Sequence, residues 1–132
     1  MKIAVGTDDG KTVRKGHFCG SRYFVVIEIL NAEVTDRSLR ANTGSEGGEP
    51  GEGEMETDVV LRLLRDCSLF MGRKFGIDSL DAIAAQGIDC ITTDVDRMDD
   101  AVCSYLGGKL AEFSYYNPDM KEHLPCTDRP YS

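Results

Sequence analysis

KIAVGTDDGKTVRKGHFCGSRYFVVIEIL, residues 2–30, decides how this chain folds. Lys2 to Thr7 is a short apolar run closed by the turn former Asp8-Asp9-Gly10, and it reads as a buried strand. Tyr23 to Leu30 is the strongest strand in the chain, rich in aromatic and β-branched residues. Between them, Gly10 to Arg22 holds four of the fifteen basic residues (Lys11, Arg14, Lys15, Arg22) and no acidic one, in a chain of formal net charge −8. His17, one of only two histidines, stands two residues before Cys19. A soft-donor pair inside a positive patch suits a ligand that is itself an anion and carries metal or sulfur. A solvated loop with incidental charge is the plain alternative.

Outward from this stretch, Asn31-Ala32 makes a tight connection to a weaker, edge-like strand over 33–42. Three strands with short links imply an antiparallel meander. Residues 43–54, TGSEGGEPGEGE, contain nothing that can pack and read as a mobile loop. Thr57 is then expected to cap a helix carrying Val59, Val60, Leu63 and Leu64 on one face. Ser68 to Gly72 reads as a strand, and a second helix places Ile77, Leu80, Ile83 and Ala84 on one stripe before Gly87 ends it. Ile88 to Thr92 is another strand. Asp96 is expected to cap a third helix with Met98, Ala101, Val102, Tyr105 and Leu106, which Gly107-Gly108 terminates. The order β-β-β-α-β-α-β-α defines a single α/β domain, a mixed sheet with helices on both faces, over residues 1–112. Residues 113–132, with Pro118, Pro125 and Pro130, read as an irregular tail.

Composition narrows the function. A length of 132 residues is one domain's worth, and 41% hydrophobic content is ordinary for a globular chain. No apolar run approaches the ~20 residues that span a bilayer, and the N-terminus lacks a signal peptide's apolar core, so a cytoplasmic location and no membrane partner are expected. Five cysteines without a C-x-x-C pair argue against a disulfide framework or a zinc ribbon. A pI near 4.7 weighs against nucleic acid as partner. No long exposed apolar stripe is visible, which favours a monomer.

The sequence resembles the dinitrogenase iron–molybdenum cofactor biosynthesis family, which contains the NifX-type cofactor carriers and small stand-alone homologues. The matching elements are Lys2–Gly10, His17-Phe18 with Gly20, Arg22-Tyr23-Phe24, Asp66-Cys67 through Gly72, Gly87-Ile88, and the closing segment AVCSYLGGKL from Ala101. The resemblance covers residues 1 to about 112. It departs at Cys19, inserted into the family's HFG element, and in residues 43–54, which lack the soft ligands often found there. It implies a ribonuclease H-like mixed sheet and a non-enzymatic role in nitrogen-fixation metallocofactor assembly. The cargo it implies is an iron–sulfur or molybdenum–iron–sulfur cluster, or one pairing molybdenum with copper. The partners it implies are donor and acceptor proteins of cofactor assembly.

The candidate metal ligands are His17 and Cys19, with Arg14 or Lys15 lowering the thiol pKa, and His123 and Cys126 of the tail as a second soft pair. Arg14, Lys15 and Arg22 would draw in an anionic cluster, as would the turn formed by Gly72, Arg73 and Lys74 at a helix start. Cys67, Cys90 and Cys103 are expected to be buried, inert thiols. A second reading makes Asp8, Asp9 and Glu28 the acids of a two-metal phosphoryl-transfer or nuclease enzyme. It needs a basic substrate surface that an acidic chain does not supply, and a turn role for Asp8-Asp9 is expected instead. A third reading is a regulatory interaction module without metal.

Overall fold

The computed structural model describes residues 1–42 and 53–128. The expected meander is present: β1 (Lys2–Thr7), β2 (Tyr23–Leu30) and β3 (Glu33–Ala41) pair antiparallel. Asn31 and Ala32 make the β2–β3 turn with φ of 54° and 64°, the left-handed pair that two-residue hairpins use. Then follow α1 (Gly53–Leu63), β4 (Leu69–Gly72), α2 (Ile77–Ala85), β5 (Asp89–Thr93) and α3 (Met98–Leu106). The chain continues into β6 (Phe113–Asn117) and β7 (Glu122–Pro125). One seven-stranded sheet results, in the order β3-β2-β1-β4-β5-β6-β7, with β1, β4 and β5 mutually parallel.

The tail is a correction to the sequence expectation. Residues 113–125 form a hairpin on the β5 edge, paired through Ile91↔Tyr115 and Tyr115↔Leu124. Its prolines sit where the ladder tolerates them: Pro118 follows β6, and Pro125 ends the outermost strand, where a missing N–H disturbs nothing. The loop expected over 43–54 falls largely outside the described residues. Its last two residues, Gly53 and Glu54, are already helical, so Thr57 lies inside α1 rather than capping it. Thr57 is buried there and its hydroxyl bonds Ser79 Oγ of α2 at 2.8 Å. Asp96 does not cap α3 either; Arg97 holds the N-cap position, and the Asp96 carboxylate pairs with Arg73.

The sheet buries both faces. On one, Ile3, Val5, Val25, Ile27, Met71 and Ile91 pack under Met98, Ala101 and Val102 of α3. On the other, Ala4, Phe24, Val26, Phe70 and Cys90 pack under Val60 of α1, Leu64 just past its end, and Leu80 and Ile83 of α2. Fully burying one such aliphatic or aromatic side chain contributes about 1.5–3 kcal/mol. Ile77 departs from its expected stripe and is 80% exposed at the start of α2.

The topology fixes where a ligand can sit. β1, β3, β4 and β5 all run one way, so α1, α2 and α3 all begin at the carboxyl end of the central strands. The partial positive charge of each helix N-terminus collects at that end.

Candidate functional site

The loop over residues 8–22 lies across the carboxyl ends of β1 and β4. Asp9 shapes its first turn: the carboxylate accepts from the Lys11 and Thr12 amides, both at 2.8 Å, and from the Thr12 hydroxyl at 2.9 Å. These donors hold the Asp9 pKa well below the usual carboxylate range. The loop is then tied to the β5–α3 connection. Val13 N donates to Asp96 O at 2.8 Å, and Met98 N donates to Lys11 O at 3.0 Å. Val13 is thereby buried in the α3-side core.

The loop turns inward at Phe18. Its ring stacks on Phe70 and Phe75 with centroids 4.9 and 5.0 Å away, and lies tilted against Phe24 at 5.0 Å. Glycines at the two strand ends make room for it. A Cβ at Gly72 would stand 3.1 Å from the Phe18 ring, and one at Gly6 would collide with Ser21 Oγ. Phe18 N donates to Lys74 O at 2.8 Å, and Ser21 Oγ donates to Phe18 O at 2.7 Å. Asn42, just past β3, closes the turn by donating to Cys19 O and Ser21 O at 2.9 and 2.8 Å. Phe18 is thus a plug, and the buried polar side chains of Ser21 and Asn42 hold its turn closed.

The residues singled out in the sequence fall into two groups. Arg14, Lys15, His17, Arg22, Gly72, Arg73 and Lys74 come together at the carboxyl end of the central strands. His17 is exposed and bridges Lys74 through the backbone. Lys15 and Arg22 line an open cleft of about 430 Å³ together with Asp8, Thr12 and Arg14. Lys11, Lys15, Arg22 and Lys74 enter none of the ion pairs among the described residues.

Cys19, by contrast, is only 4% exposed and points into the aromatic core with Phe18 and Phe75. Cys19 was expected as a metal ligand; the single 3-10 turn Phe18–Gly20 carries its side chain inward together with that of Phe18. His123 and Cys126 do not join the site. His123 lies on β7, three strands from β4, roughly 14 Å at the usual strand spacing. Its ring rests 5.4 Å from Tyr116 on the α1–α2 side, and desolvation there lowers its pKa. Cys126 is buried in the core of the opposite face. Among the described residues no three His, Cys, Asp or Glu side chains are placed to hold a metal ion.

The acids of the nuclease reading do not converge. Asp8 and Asp9 follow the end of β1, whereas Glu28 pairs with Lys2 at its beginning. Asp8 is committed to Arg14, whose Nη1 donates to both carboxylate oxygens at 2.9 and 2.7 Å. Of the three cysteines expected to be inert, Cys67 and Cys90 are buried, and burial pushes their thiols up to about 11 and about 12. Cys103 is exposed on α3, so that expectation fails for it.

Sequence reasoning missed the arginine partners. Arg73 Nη2 donates to Asp96 Oδ1 at 2.7 Å, and the Arg73 Nε is buried with no hydrogen-bond partner among the described residues. A buried, unsatisfied donor costs about 1–3 kcal/mol. Phe24, Phe70 and Phe75 were also missed as the base of the site, although four phenylalanines at strand ends and turns were a readable signal.

Fold and site together define a single-domain α/β protein with a cationic end. The chain belongs to the family described as dinitrogenase iron-molybdenum cofactor, which it matches over residues 1–108. An uncharacterized protein of Methanocaldococcus jannaschii is 24% identical over 113 residues, 86% of this chain and 92% of its own. Two solved structures share the fold. One is the protein PH0822, with TM-score 0.67, 22% identity, and 82% of this chain and 92% of that one covered. The other is the apo form of the orange protein from Desulfovibrio gigas, with TM-score 0.65, 20% identity, and 82% and 88% covered.

Proposed function

We propose that this protein binds and carries an iron- and/or molybdenum-containing sulfur cluster during metallocofactor assembly, without catalysing a reaction on it. Support comes from family membership, and one observation carries the reading physically. Four cations, Lys11, Lys15, Arg22 and Lys74, enter no ion pair among the described residues and stand at the end where three helices begin. Metal–sulfur clusters are anionic, so this end attracts them while the acidic remainder of the surface does not.

The donor set favours capture by charge and hydrogen bonds. Guanidinium and ammonium groups surround the cleft, His17 is the soft donor exposed beside it, and Cys19 is turned away. Arg14, Lys15, Arg22, Arg73, Lys74 and the amides following Gly72 would hold the cargo, and His17 would add one metal bond. Gly72 serves by leaving space for Phe18. The ribonuclease H-like motif, a cytoplasmic setting, a monomeric state and hand-over to cofactor-assembly proteins belong to the same proposal. No helix among the described residues is long and apolar enough to cross a membrane.

Anaerobic reconstitution with iron, sulfide and molybdate, followed by elemental analysis and visible spectroscopy, tests it. A coloured protein with metal and sulfide bound per chain is the expected result. A colourless protein that instead hydrolyses phosphodiesters with magnesium would replace it with the enzyme reading.

A further inference from the structure

The two arginines at the carboxyl end of the sheet are held differently. Arg14 is a strut: Nε donates to His17 O at 3.0 Å, and Nη1 donates to Asp8 Oδ1 and Oδ2 at 2.9 and 2.7 Å. Its guanidinium lies over Gly16, where a Cβ would stand 3.1 Å from Nη2. Asp8 in turn accepts the Arg22 amide at 3.0 Å, so this pair shapes the loop.

Among the described residues the Arg73 side chain makes one hydrogen bond, from Nη2 to Asp96 Oδ1 at 2.7 Å. Its Nε is on the same edge of the guanidinium, buried, with no acceptor among the described residues. That edge offers two parallel donors, and a ligand with two adjacent acceptor atoms suits it better than the single oxygen it now meets. Asp96 is a removable partner, with its side chain 68% exposed and the charge of Lys15 acting on it. The fold needs only its backbone oxygen, which takes the Val13 amide.

We propose that Asp96 is a placeholder: it occupies Arg73 until a multiply charged metal–sulfur or oxo anion displaces it, and so sets which anions the site admits. This rests on the cluster-carrying reading and adds a selection step to it. A monoanion brings no more charge than the carboxylate already present and does not displace it. A dianion with neighbouring sulfur or oxygen atoms takes both donors of the Arg73 edge, and the released Asp96 is left in solvent.

Tetrathiomolybdate, a dianion of molybdenum and sulfur, is the probe, with binding measured by equilibrium dialysis at fixed ionic strength. Asp96→Asn is expected to bind it about three- to tenfold more tightly than the parent, and Arg73→Ala about tenfold more weakly. In the Arg73→Ala background, Asp96→Asn is expected to gain less than about twofold, since only the general loss of one negative charge remains. The Arg73 Nε–H resonance should shift on adding the dianion and stay in place on adding an equal charge of chloride. Asp96→Ser serves the same comparison if the asparagine variant does not fold.

Equal or weaker binding by Asp96→Asn would overturn the placeholder role. So would a gain that survives in Arg73→Ala, or an Arg73 resonance unmoved by the dianion. If the parent chain binds no tetrathiomolybdate at all, this inference falls, and the cluster reading falls with it only where reconstitution with iron, sulfide and molybdate also leaves the chain without metal. Binding by the parent with no effect of Asp96 removes this inference alone.

Discussion

At the carboxyl end of β1, β4 and β5 lies a cleft of about 430 Å³, and at their amino end lies another of about 340 Å³. Each has at its wall an aspartate paired with an arginine. The amino-end cleft is bordered by Arg65, Asp66 and Cys67, and there the acid is closed by two cations. Asp66 accepts both Arg40 Nη atoms at 2.7 and 2.8 Å and Lys2 Nζ at 3.1 Å. Arg40 also donates to Leu63 O at 2.9 Å, which fastens β3 to the end of α1. This end receives the carboxyl termini of α1 and α2, whose partial charge is negative. Volume and arginine are therefore common to both clefts. A cluster of cations outside every ion pair of the described residues and the positive ends of three helices belong to one alone, and they suit that end to an anion.

The largest expected effect breaks the carboxyl end itself. Phe18→Ala removes a ring that is almost fully buried among three others, and should destabilise the protein by about 3–5 kcal/mol. Urea denaturation measures this directly. Because the plug also positions His17 and the Lys74 backbone, tetrathiomolybdate binding should be lost even in the folded fraction. A Phe18→Ala variant that binds normally would mean that the loop does not make the site.

Much of this end was legible in the sequence, and the reasons differ by residue. Basic residues from Lys11 to Arg22 announced the patch because local charge needs no tertiary information. The meander and the parallel βαβ rhythm followed from apolar periodicity, which the packing of both sheet faces enforces. Cys19 was read as a metal ligand from its loop position and basic neighbours, and the spacing His-x-Cys says nothing about which way a 3-10 turn points its side chains. The β6–β7 hairpin was hidden by prolines at its ends, although Phe113, Tyr115 and Tyr116 carry the β signal. Asp96 looked like a helix cap, since capping is a local pattern, whereas its pairing with Arg73 spans two connections of the sheet. His123 and Cys126 shared a short spacing but face opposite sides of the sheet, a separation that only register reveals.

A second test separates the ends by charge alone. Replacing Lys15 and Arg22 together with alanine should weaken tetrathiomolybdate binding about tenfold and flatten its dependence on salt. Both side chains are exposed, so the thermal midpoint should stay where it is. Unchanged affinity with unchanged salt dependence would show that unpaired charge does not guide capture.

The amino end has its own signature in acid. Arg40 and Lys2 hold the Asp66 pKa well below the usual carboxylate range. The stabilisation is complete above the unfolded carboxylate value of about 4 and is lost as pH falls beneath it. Asp66→Asn should therefore flatten the acid limb of the stability curve below about pH 4. The pair is partly exposed, so its contribution at neutral pH should stay under about 1 kcal/mol. Urea midpoints across the acid range would check it, and an acid limb identical to the parent's would assign the loss to other groups.

The smallest effects sharpen the contrast most, because they are expected to be nil at sites that resemble the active ones. Arg65→Ala removes an arginine that lines the amino-end cleft, enters no ion pair among the described residues, and sits where helices end. Cleft volume or arginine as such would make its loss felt; charge placed against helix polarity would not. Tetrathiomolybdate affinity should stay within about twofold of the parent, since removal of one distant charge is screened over a Debye length of about 8 Å. Cys19→Ser belongs in the same measurement, because its thiol lies inside the aromatic core. It should melt at lower temperature, its new hydroxyl being buried, while binding the dianion as the parent does. If Cys19→Ser kept its stability and lost the dianion, the thiol would be a ligand reached by opening the Phe18 turn. If Arg65→Ala lost the dianion as well, the two ends would no longer differ in kind.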